Sequence, residues 1–382
     1  MTFPLIGVVG GGQLARMMLP EANHLGYRIS VLAEGTDVST ALVAPESPVG
    51  DYKDLETLRA FAAGKAVVTF DHEHVPTEHL HALLAEGVNV QPVPEALIYA
   101  QDKLEMRKKI EELGLPNPRW REVHSVEELS AFGHEIGFPV ILKTPRGGYD
   151  GKGVAFVNND DDAAALSSWF TGSALLAEEK VNFTRELSAL VARRPSGDAR
   201  AWPVVHTIQV DGVCDEVIAP AQELPEETVK AAQEAALSIA HFLGVTGVMA
   251  AELFETPGVG PGFMINELAM RPHNTGHWTQ NGSVTNQFEQ HLRAVLDLPL
   301  GTTDVIAPVS VMKNILGGSN PNLHNALPAA LDIDSGAKVH LYGKGVKPGR
   351  KIGHINVIGG RDENIEHVRA RAAAVASALR DA

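Results

Sequence analysis

Glu252 and Glu267 lie on two apolar-rich runs, 248–255 and 263–268, separated by the turn-rich stretch 256–262, Thr-Pro-Gly-Val-Gly-Pro-Gly. If that turn centres a hairpin near residue 259.5, paired residue numbers sum to 519 and the two carboxylates face each other. Like charges across an antiparallel pair are unfavourable unless something sits between them. A magnesium ion would do so, taking carboxylate and nucleotide phosphate oxygens and keeping several waters. Asn266 could add an oxygen ligand. The same spacing also allows one glutamate to be solvated or paired with a lysine. Directly downstream comes Arg271-Pro-His273-Asn274-Thr-Gly-His277. An arginine, two histidines and an amide so close together suit an anion site with a proton carrier. Upstream, Lys143 ends the apolar run 140–143 and precedes a loop containing Arg146, Gly147, Gly148, Tyr149, Asp150, Gly151, Lys152 and Gly153. A strand lysine followed by a glycine loop fits a lid over phosphates, with Lys143 beneath it as a point charge. The spacing is not that of a Walker A loop, and kinases place the glycine loop before their strand lysine. A flexible hairpin with solvated charges is the alternative.

Two further clusters carry possible chemistry. Gly10-Gly-Gly-Gln13-Leu14-Ala15 matches G-x-G-x-x-A, and Glu34 follows the next strand. A dinucleotide fingerprint has this form. A plain strand-to-helix turn, or a phosphate-bearing ligand at a helix dipole, would use the same residues. His340-Leu-Tyr342-Gly343-Lys344 with Gly349-Arg350-Lys351-Ile-Gly353-His354 is a basic run for a phosphate, or a solvated turn. His72, His74, His79 and His81 form no metal-ligand pattern, and Cys214 has no activating neighbourhood.

The elements that must hold these groups can be read in chain order. Strands at 5–9, 28–33, 67–71 and 88–91 alternate with helices at 13–24 and 77–85, which predicts a parallel sheet. Pro92 and Pro94 mark a boundary. One helix is expected over 95–113, closed by Gly114 and Pro116. Short strands come next at 140–143, 153–157 and 175–179, with a helix on either side of the first two. The runs 186–192, 203–210 and 213–218 suggest antiparallel pairing. Then come a helix at 224–243, the glutamate hairpin, a helix at 284–296 and a linker at 297–303. A C-terminal α/β unit ends in an Ala-rich helix from about residue 363.

The chain has 382 residues, room for two or three domains. With 32 Lys+Arg against 47 Asp+Glu its formal charge is −15, which argues against a nucleic-acid partner. A local basic cluster can still bind a small anion. The single cysteine rules out an intrachain disulfide framework and Cys-based zinc modules. No run reaches about 18 apolar residues, so no membrane span is expected. The N-terminal residues read directly into a strand, without the features of a leader, and a cytoplasmic location is expected.

In this order the motifs resemble the ATP-grasp superfamily, and within it the N5-carboxyaminoimidazole ribonucleotide synthetases. The resemblance covers nearly the whole chain. It rests on Gly10-Gly-Gly-Gln-Leu-Ala-Arg-Met17, the loop from Gly147 to Gly153, Glu178-Glu-Lys-Val181, Phe183-x-Arg185-Glu186, Asn266-Glu267, the run from Arg271 to His277, Tyr342-Gly-Lys344 and Gly349-Arg-Lys351. It implies an α/β and α+β chain. An ATP-grasp fold would carry an N-terminal Rossmann-like (pre-ATP-grasp) domain at 1–92 and an ATP-grasp region at 93–300 with a mobile lid subdomain at about 115–181. A small C-terminal domain would occupy 301–382. Met270 stands where the family often has proline, and Thr275 where it often has serine.

The activity implied is an ATP-dependent carboxylation. ATP and bicarbonate give carboxyphosphate, and its carbon dioxide passes to the exocyclic amine of 5-aminoimidazole ribonucleotide. The cofactors implied are ATP and Mg2+, and a homodimer is expected. Lys103 and Lys143 would reach the ATP phosphates under Gly148, Tyr149, Asp150, Gly151, Lys152, Gly153 and Val154. Glu178, Glu179, Lys180 and Val181 would border the adenine, largely through backbone groups. Glu186 would hold the ribose, with His206 near the nucleotide. Glu252 and Glu267 would bind magnesium beside Asn266. Gln13, Leu14, Glu73, Tyr149, Asp150, Arg185 and Asn274 would surround the ribonucleotide, whose phosphate would fall to Lys344, Arg350 and Lys351. Arg271 and His273 would act at carboxyphosphate. Another ATP-grasp ligase, a nicotinamide dehydrogenase and a non-catalytic nucleotide-binding protein are the competing readings.

Overall fold

The computed structural model describes residues 3–147 and 153–381. The N-terminal sheet is parallel. Its strands are β1 (Leu5–Val9), β2 (Arg28–Leu32) and β3 (Val67–Phe70), in the order β2-β1-β3. Helix α1 (Gln13–His24) follows β1 as expected. The strand expected at 88–91 is only a bridge between Val68 and Val90. A helix not foreseen, α2 (Leu55–Ala62), packs before β3. Its signal is local: Asp54 accepts from Thr57 N–H as a cap, and Leu58, Phe61 and Ala62 are buried on one face. Helix α3 (Thr77–Ala85) falls where the sequence puts it.

The single helix expected over 95–113 is two, α4 (Pro94–Gln101) and α5 (Lys103–Glu112). Asp102 between them is extended, and its carboxylate accepts from Leu104 and Glu105 N–H. A capping aspartate outcompetes a continuous helix here because it satisfies donors that a new N-terminus exposes. The break places Lys103 at the first position of α5.

A second sheet is antiparallel, in the order β4-β7-β5-β6: β4 (Trp120–Val123), β5 (Val140–Lys143), β6 (Val154–Val157) and β7 (Leu175–Glu179). The sequence reading missed β4. Helices α6 (Val126–Ile136) and α7 (Asp160–Ala165) cover one face. Strand periodicity sends Val140 and Leu142 into that core and Ile141 and Lys143 to the opposite side.

The largest sheet has nine strands among the described residues. They are β8 (Glu186–Arg193), β9 (Ala199–Ala201), β10 (Val205–Val210), β11 (Val213–Ala219), β12 (Gly247–Glu255), β13 (Phe263–Ala269), β14 (Val309–Leu316), β15 (Lys338–Leu341) and β16 (Lys351–Gly359). The order is β13-β12-β8-β10-β11-β14-β16-β15, with β9 on β8. The C-terminal strands therefore continue the same sheet, Val217 pairing with Met312. Helix α8 (Glu226–Phe242) packs on β8, where Leu187, Ala189 and Val191 meet it, while Leu190 and Ala192 join Trp202 and Trp278 on the other face. Beyond α9 (Thr279–Gly282), α10 (Gln287–Val295) packs on α1, with Phe288, Leu292 and Val295 in one core with Leu14 and Met18. Helices α11 (Leu323–Ile333) and α12 (Ile365–Asp381) pack against each other and the second covers β14 and β16. Among the described residues no helix is long and apolar enough to cross a membrane.

Candidate active site

A cavity of about 1190 Å3 opens between the three sheets. It exceeds the roughly 300–1,000 Å3 of an ordinary small-molecule pocket, so it has room for more than one ligand. Its floor is the β12–β13 hairpin. The paired residues are Ala250 and Ala269, Ala251 and Leu268, and Glu252 and Glu267. Toward the turn the register shifts, Leu253 pairing with Ile265. The shift is a bulge at Asn266, and it inverts the strand's alternation. Phe263 and Ile265 point into the core under α8, and after the bulge so do Leu268 and Met270. Asn266 and Glu267 are thereby both turned to the cavity, where Glu252 also lies.

The two facing carboxylates concentrate negative charge on the cavity floor. Burial, then the neighbouring Glu267 and Glu186, push the Glu252 carboxyl up to about 7. Lys103 forms an ion pair with Glu267. Among the described residues no group of three His, Cys, Asp or Glu could hold a metal. Two carboxylates completed by phosphate oxygens and waters is the arrangement magnesium takes in nucleotide sites, so the donor set fits that ion.

At the end of the cavity formed by β5 and β7, Glu178 is buried between Arg107 and Lys143 and ion-paired with both. Burial would raise its carboxyl, but the two cations overcome this and hold it at about 2. Its side chain thus holds Lys143 in place. Arg107 also donates to the carbonyls of Ile265 at 2.7 Å and Asn266 at 2.8 Å, bracing the bulge. Sequence reading missed Arg107. Its signal was a cation on the buried stripe of α5, three residues from Leu104 and three from Ile110. Asp102 accepts from Arg146 Nε at 2.8 Å, and Lys103 N–H donates to Pro145 O at 3.0 Å, so the start of α5 is tied to the chain leaving β5. The Glu179 side chain pairs with Arg119. Lys180, Val181 and Glu186 line the cavity, as do Val154 and Lys143. Burial raises the Glu186 carboxyl. Thr144 N–H donates to Gly153 O at 2.9 Å and closes the base of the glycine loop. Gly148, Tyr149, Asp150, Gly151 and Lys152 lie outside the described residues.

Arg271 and His273 reach the cavity from the segment after β13. Glu73 holds the arginine: its carboxylate accepts from Arg271 Nε at 2.6 Å and from Met270 N–H at 3.1 Å. Burial works against the guanidinium's charge, and Glu73 with Asp71 and Glu252 keeps it on. His273 Nε2 lies 3.8 Å from Glu252 Oε1, and Nδ1 is 2.9 Å from Thr275 Oγ1. Burial, Arg271 and Lys351 pull the imidazole well below its usual range, so it is neutral. Asn274 and Lys351 also line the cavity.

The far end is lined by α1 and by Lys351 of β16. Gln13 and Leu14 line the cavity, and Gln13 Oε1 accepts from Lys344 Nζ. Burial, Arg350 and Lys351 lower the Lys344 ammonium, against the pull of Asp71. Together these cations raise the local positive potential on an otherwise acidic chain. The α1 N-terminus is already occupied by the protein's own carboxylates. Asp71 accepts from Ala15 N–H at 2.7 Å, and Glu34 from Gly11 N–H at 3.0 Å. Gly12 is required because a Cβ there would collide with Asp71. A dinucleotide pyrophosphate would have to displace both acids, so the match to a dinucleotide fingerprint does not make this a dinucleotide site. His72, His74, Tyr52 and Lys53, which no sequence pattern singled out, line this part of the cavity.

Not every candidate comes together. Arg185 is held by Glu255 at 2.6 Å and by Gln222 O at 2.8 Å. His206 sits in β10 opposite Ile218. Neither is among the described residues lining the cavity, and nor are Lys344 and Arg350, although Gln209 and Gly212 of the β10–β11 hairpin are. Cys214 is buried, its thiol pushed up to about 12 by burial, and it is chemically quiet.

The chain matches the ribonucleotide synthetase preATP-grasp domain over residues 3–101, the ATP-grasp domain over 108–288 and the phosphoribosylaminoimidazole carboxylase C-terminal domain over 310–368. It is 50% identical over 365 residues to the N5-carboxyaminoimidazole ribonucleotide synthase of Mycobacterium tuberculosis, covering 93% of this chain and 84% of that protein. With the synthase of Corynebacterium ammoniagenes it shares 49% over 377 residues, 97% of this chain and 91% of that one. Among solved structures, the Thermus thermophilus synthetase superposes with a TM-score of 0.86 at 36% identity, covering 99% of each chain. The Aspergillus clavatus synthase in complex with ADP and 5-aminoimidazole ribonucleotide gives 0.87 at 32%, covering 99% of this chain and 98% of that one.

Proposed function

The chain belongs to the N5-carboxyaminoimidazole ribonucleotide synthase family, and from that premise we propose which of its residues carry the reaction. The protein is an ATP-grasp ligase that carboxylates 5-aminoimidazole ribonucleotide at the expense of ATP in purine biosynthesis. The observation that carries the residue assignment is the convergence at the cavity floor. Glu252 and Glu267 face each other, and His273 Nε2 lies 3.8 Å from Glu252.

A bicarbonate oxygen attacks the γ-phosphorus of ATP, ADP leaves, and carboxyphosphate results. The bond between its carboxyl carbon and the bridging oxygen then breaks, releasing carbon dioxide, and phosphate carries that oxygen away. The exocyclic amine adds to the carbon and loses a proton. Lys143, oriented by Glu178, and Lys103 hold the phosphates in line. Glu252 and Glu267 would hold magnesium, which supplies charge neutralisation on the transferring phosphoryl group. Arg271 stabilises the negative charge of carboxyphosphate. Neutral His273 takes the amine proton at Nε2. The mixed anhydride is labile, so the lid must exclude water. Asn274 contacts the ribonucleotide, and the family resemblance supports a cytoplasmic homodimer.

Gln13, Lys344 and Lys351 receive the ribonucleotide phosphate, with Arg350 adding charge. A hydrogen bond to a charged group contributes about 1.5–3 kcal/mol, so Lys344→Met raises KM for aminoimidazole ribonucleotide about ten- to hundredfold, at about 1.4 kcal/mol per decade. KM for ATP stays at the parental value. Steady-state ADP release against each substrate reads both constants. An equal rise in KM for ATP would remove the ribonucleotide from this end of the cavity.

A further inference from the structure

Gln287, the first residue of α10, is fully buried and does not line the cavity. It grips the main chain of His273 as a neighbouring strand would. Its Oε1 accepts from His273 N–H at 2.8 Å, and its Nε2 donates to His273 O at 2.8 Å. The second hydrogen of the same amide is directed at His277 Nδ1, 2.8 Å away. That fills the side chain's donors and fixes which way round the amide sits. Gln287 N–H donates in turn to Thr279 Oγ1 at 2.9 Å. Gly276 has no room for a Cβ because Gln287 Oε1 fills the space. The His273 ring is held separately, by Thr275 Oγ1, itself 2.8 Å from Ser188 Oγ. With main chain and Nδ1 both fixed, Nε2 is left directed toward Glu252. Through His277 the grip extends further. That ring stacks on His354 at 4.9 Å, and His354 Nδ1 is 2.8 Å from Tyr342 Oη, two residues before Lys344.

We propose that Gln287 is a positioning residue for the carboxyl-transfer step, fixing His273 against the carboxylates of β12 and β13 and tying it to the segment that carries Lys344. The proposal rests on the reading of His273 as the proton acceptor. A misplaced acceptor leaves phosphorylation of bicarbonate intact but lets carboxyphosphate decompose to bicarbonate and phosphate in water. The signature is a loss of coupling between ADP formed and ribonucleotide carboxylated.

The test measures both products for the full-length parent, Gln287→Met, Gln287→Glu and His273→Ala. A displacement of about 1 Å can lower a rate about a hundredfold, so Gln287→Met should lower carboxylation by about ten- to a hundredfold while ADP formation and KM for ATP stay near parental. Gln287→Glu, which keeps the acceptor for His273 N–H and loses the donors, should lie between. It also keeps the question answerable if the methionine variant does not fold. Coupling at the parental level in both Gln287 variants, with His273→Ala uncoupled, would overturn the proposal and leave His273 in place. Parental coupling in His273→Ala would remove the reading on which the proposal rests. A parallel fall in ATP affinity and carboxylation in both Gln287 variants would reduce the residue to a structural role and also overturn it.

Discussion

Glu252→Gln melts at a higher temperature than the parent in the absence of magnesium, and it turns over ATP about a hundred- to thousandfold more slowly with magnesium present. The two effects have opposite signs for one reason. Burial and the opposing Glu267 raise the folded-state carboxyl to about 7, above the roughly 4.3 of a free glutamate. A carboxyl raised on folding makes the protein most stable where it is protonated in both states. That contribution is lost as pH rises from about 4.3 to 7, where the unfolded chain ionises first. Glutamine keeps the shape without the charge. Its melting temperature should therefore decline less than the parent's across that window. The same substitution removes half of the carboxylate pair, and a bound metal is worth several kcal/mol of phosphoryl-transfer stabilisation, about one decade per 1.36 kcal/mol. Melting curves from pH 4.5 to 8 and magnesium titrations of ADP release check both halves. A variant with parental magnesium dependence would show that the facing glutamates do not hold the ion.

Arg271→Met loses about a hundred- to a thousandfold in kcat for the carboxylated product, the scale set by removing one preorganised charge donor from a developing anion. Glu73 explains why the arginine is so well placed. One carboxylate bonds both Arg271 Nε and the preceding amide of Met270, so the guanidinium is held at its base and cannot swing away. Arg271→Lys should recover little, because an ammonium presents no planar fork to Glu73 and carboxyphosphate together. KM for ATP should change by less than about threefold, because the charge that Arg271 stabilises develops on carboxyphosphate and not on bound ATP. Product formation and ATP saturation curves separate these outcomes. A kcat within a few-fold of the parent would place the charge stabilisation elsewhere.

Much of the chemistry was legible because its signals are local. A turn flanked by two apolar runs sets a hairpin axis, and the axis places Glu252 opposite Glu267. A strand lysine before a glycine loop is a contiguous pattern. The bulge at Asn266 was not legible, because it depends on Arg107 reaching the carbonyls of residues 265 and 266 from a separate helix. Glu178 reads in the sequence as a residue beside the base. Only the fold shows that Arg107 and Lys143 both lie against its carboxylate. Helix α2 carried a readable cap and stripe, whereas the split between α4 and α5 turned on one aspartate whose capping role depends on the residues after it. The dinucleotide-like glycines matched a pattern whose meaning depends on which group fills the helix N-terminus. Asp71 fills it from the adjoining C-terminal end of β3. His72 and His74 reach the cavity through that same strand end, and Gln287 reaches His273 from across the α9 turn, so neither had a sequence signature.

The most direct test of the central claim, that this cavity phosphorylates bicarbonate and passes its carbon to the ribonucleotide amine, tracks oxygen. Bicarbonate labelled with 18O is supplied with ATP, Mg2+ and aminoimidazole ribonucleotide, and the phosphate released is examined by mass. Attack by a bicarbonate oxygen on the γ-phosphorus, followed by C–O cleavage, predicts one labelled oxygen in each phosphate released. Carboxylated product accompanied by unlabelled phosphate would contradict the account.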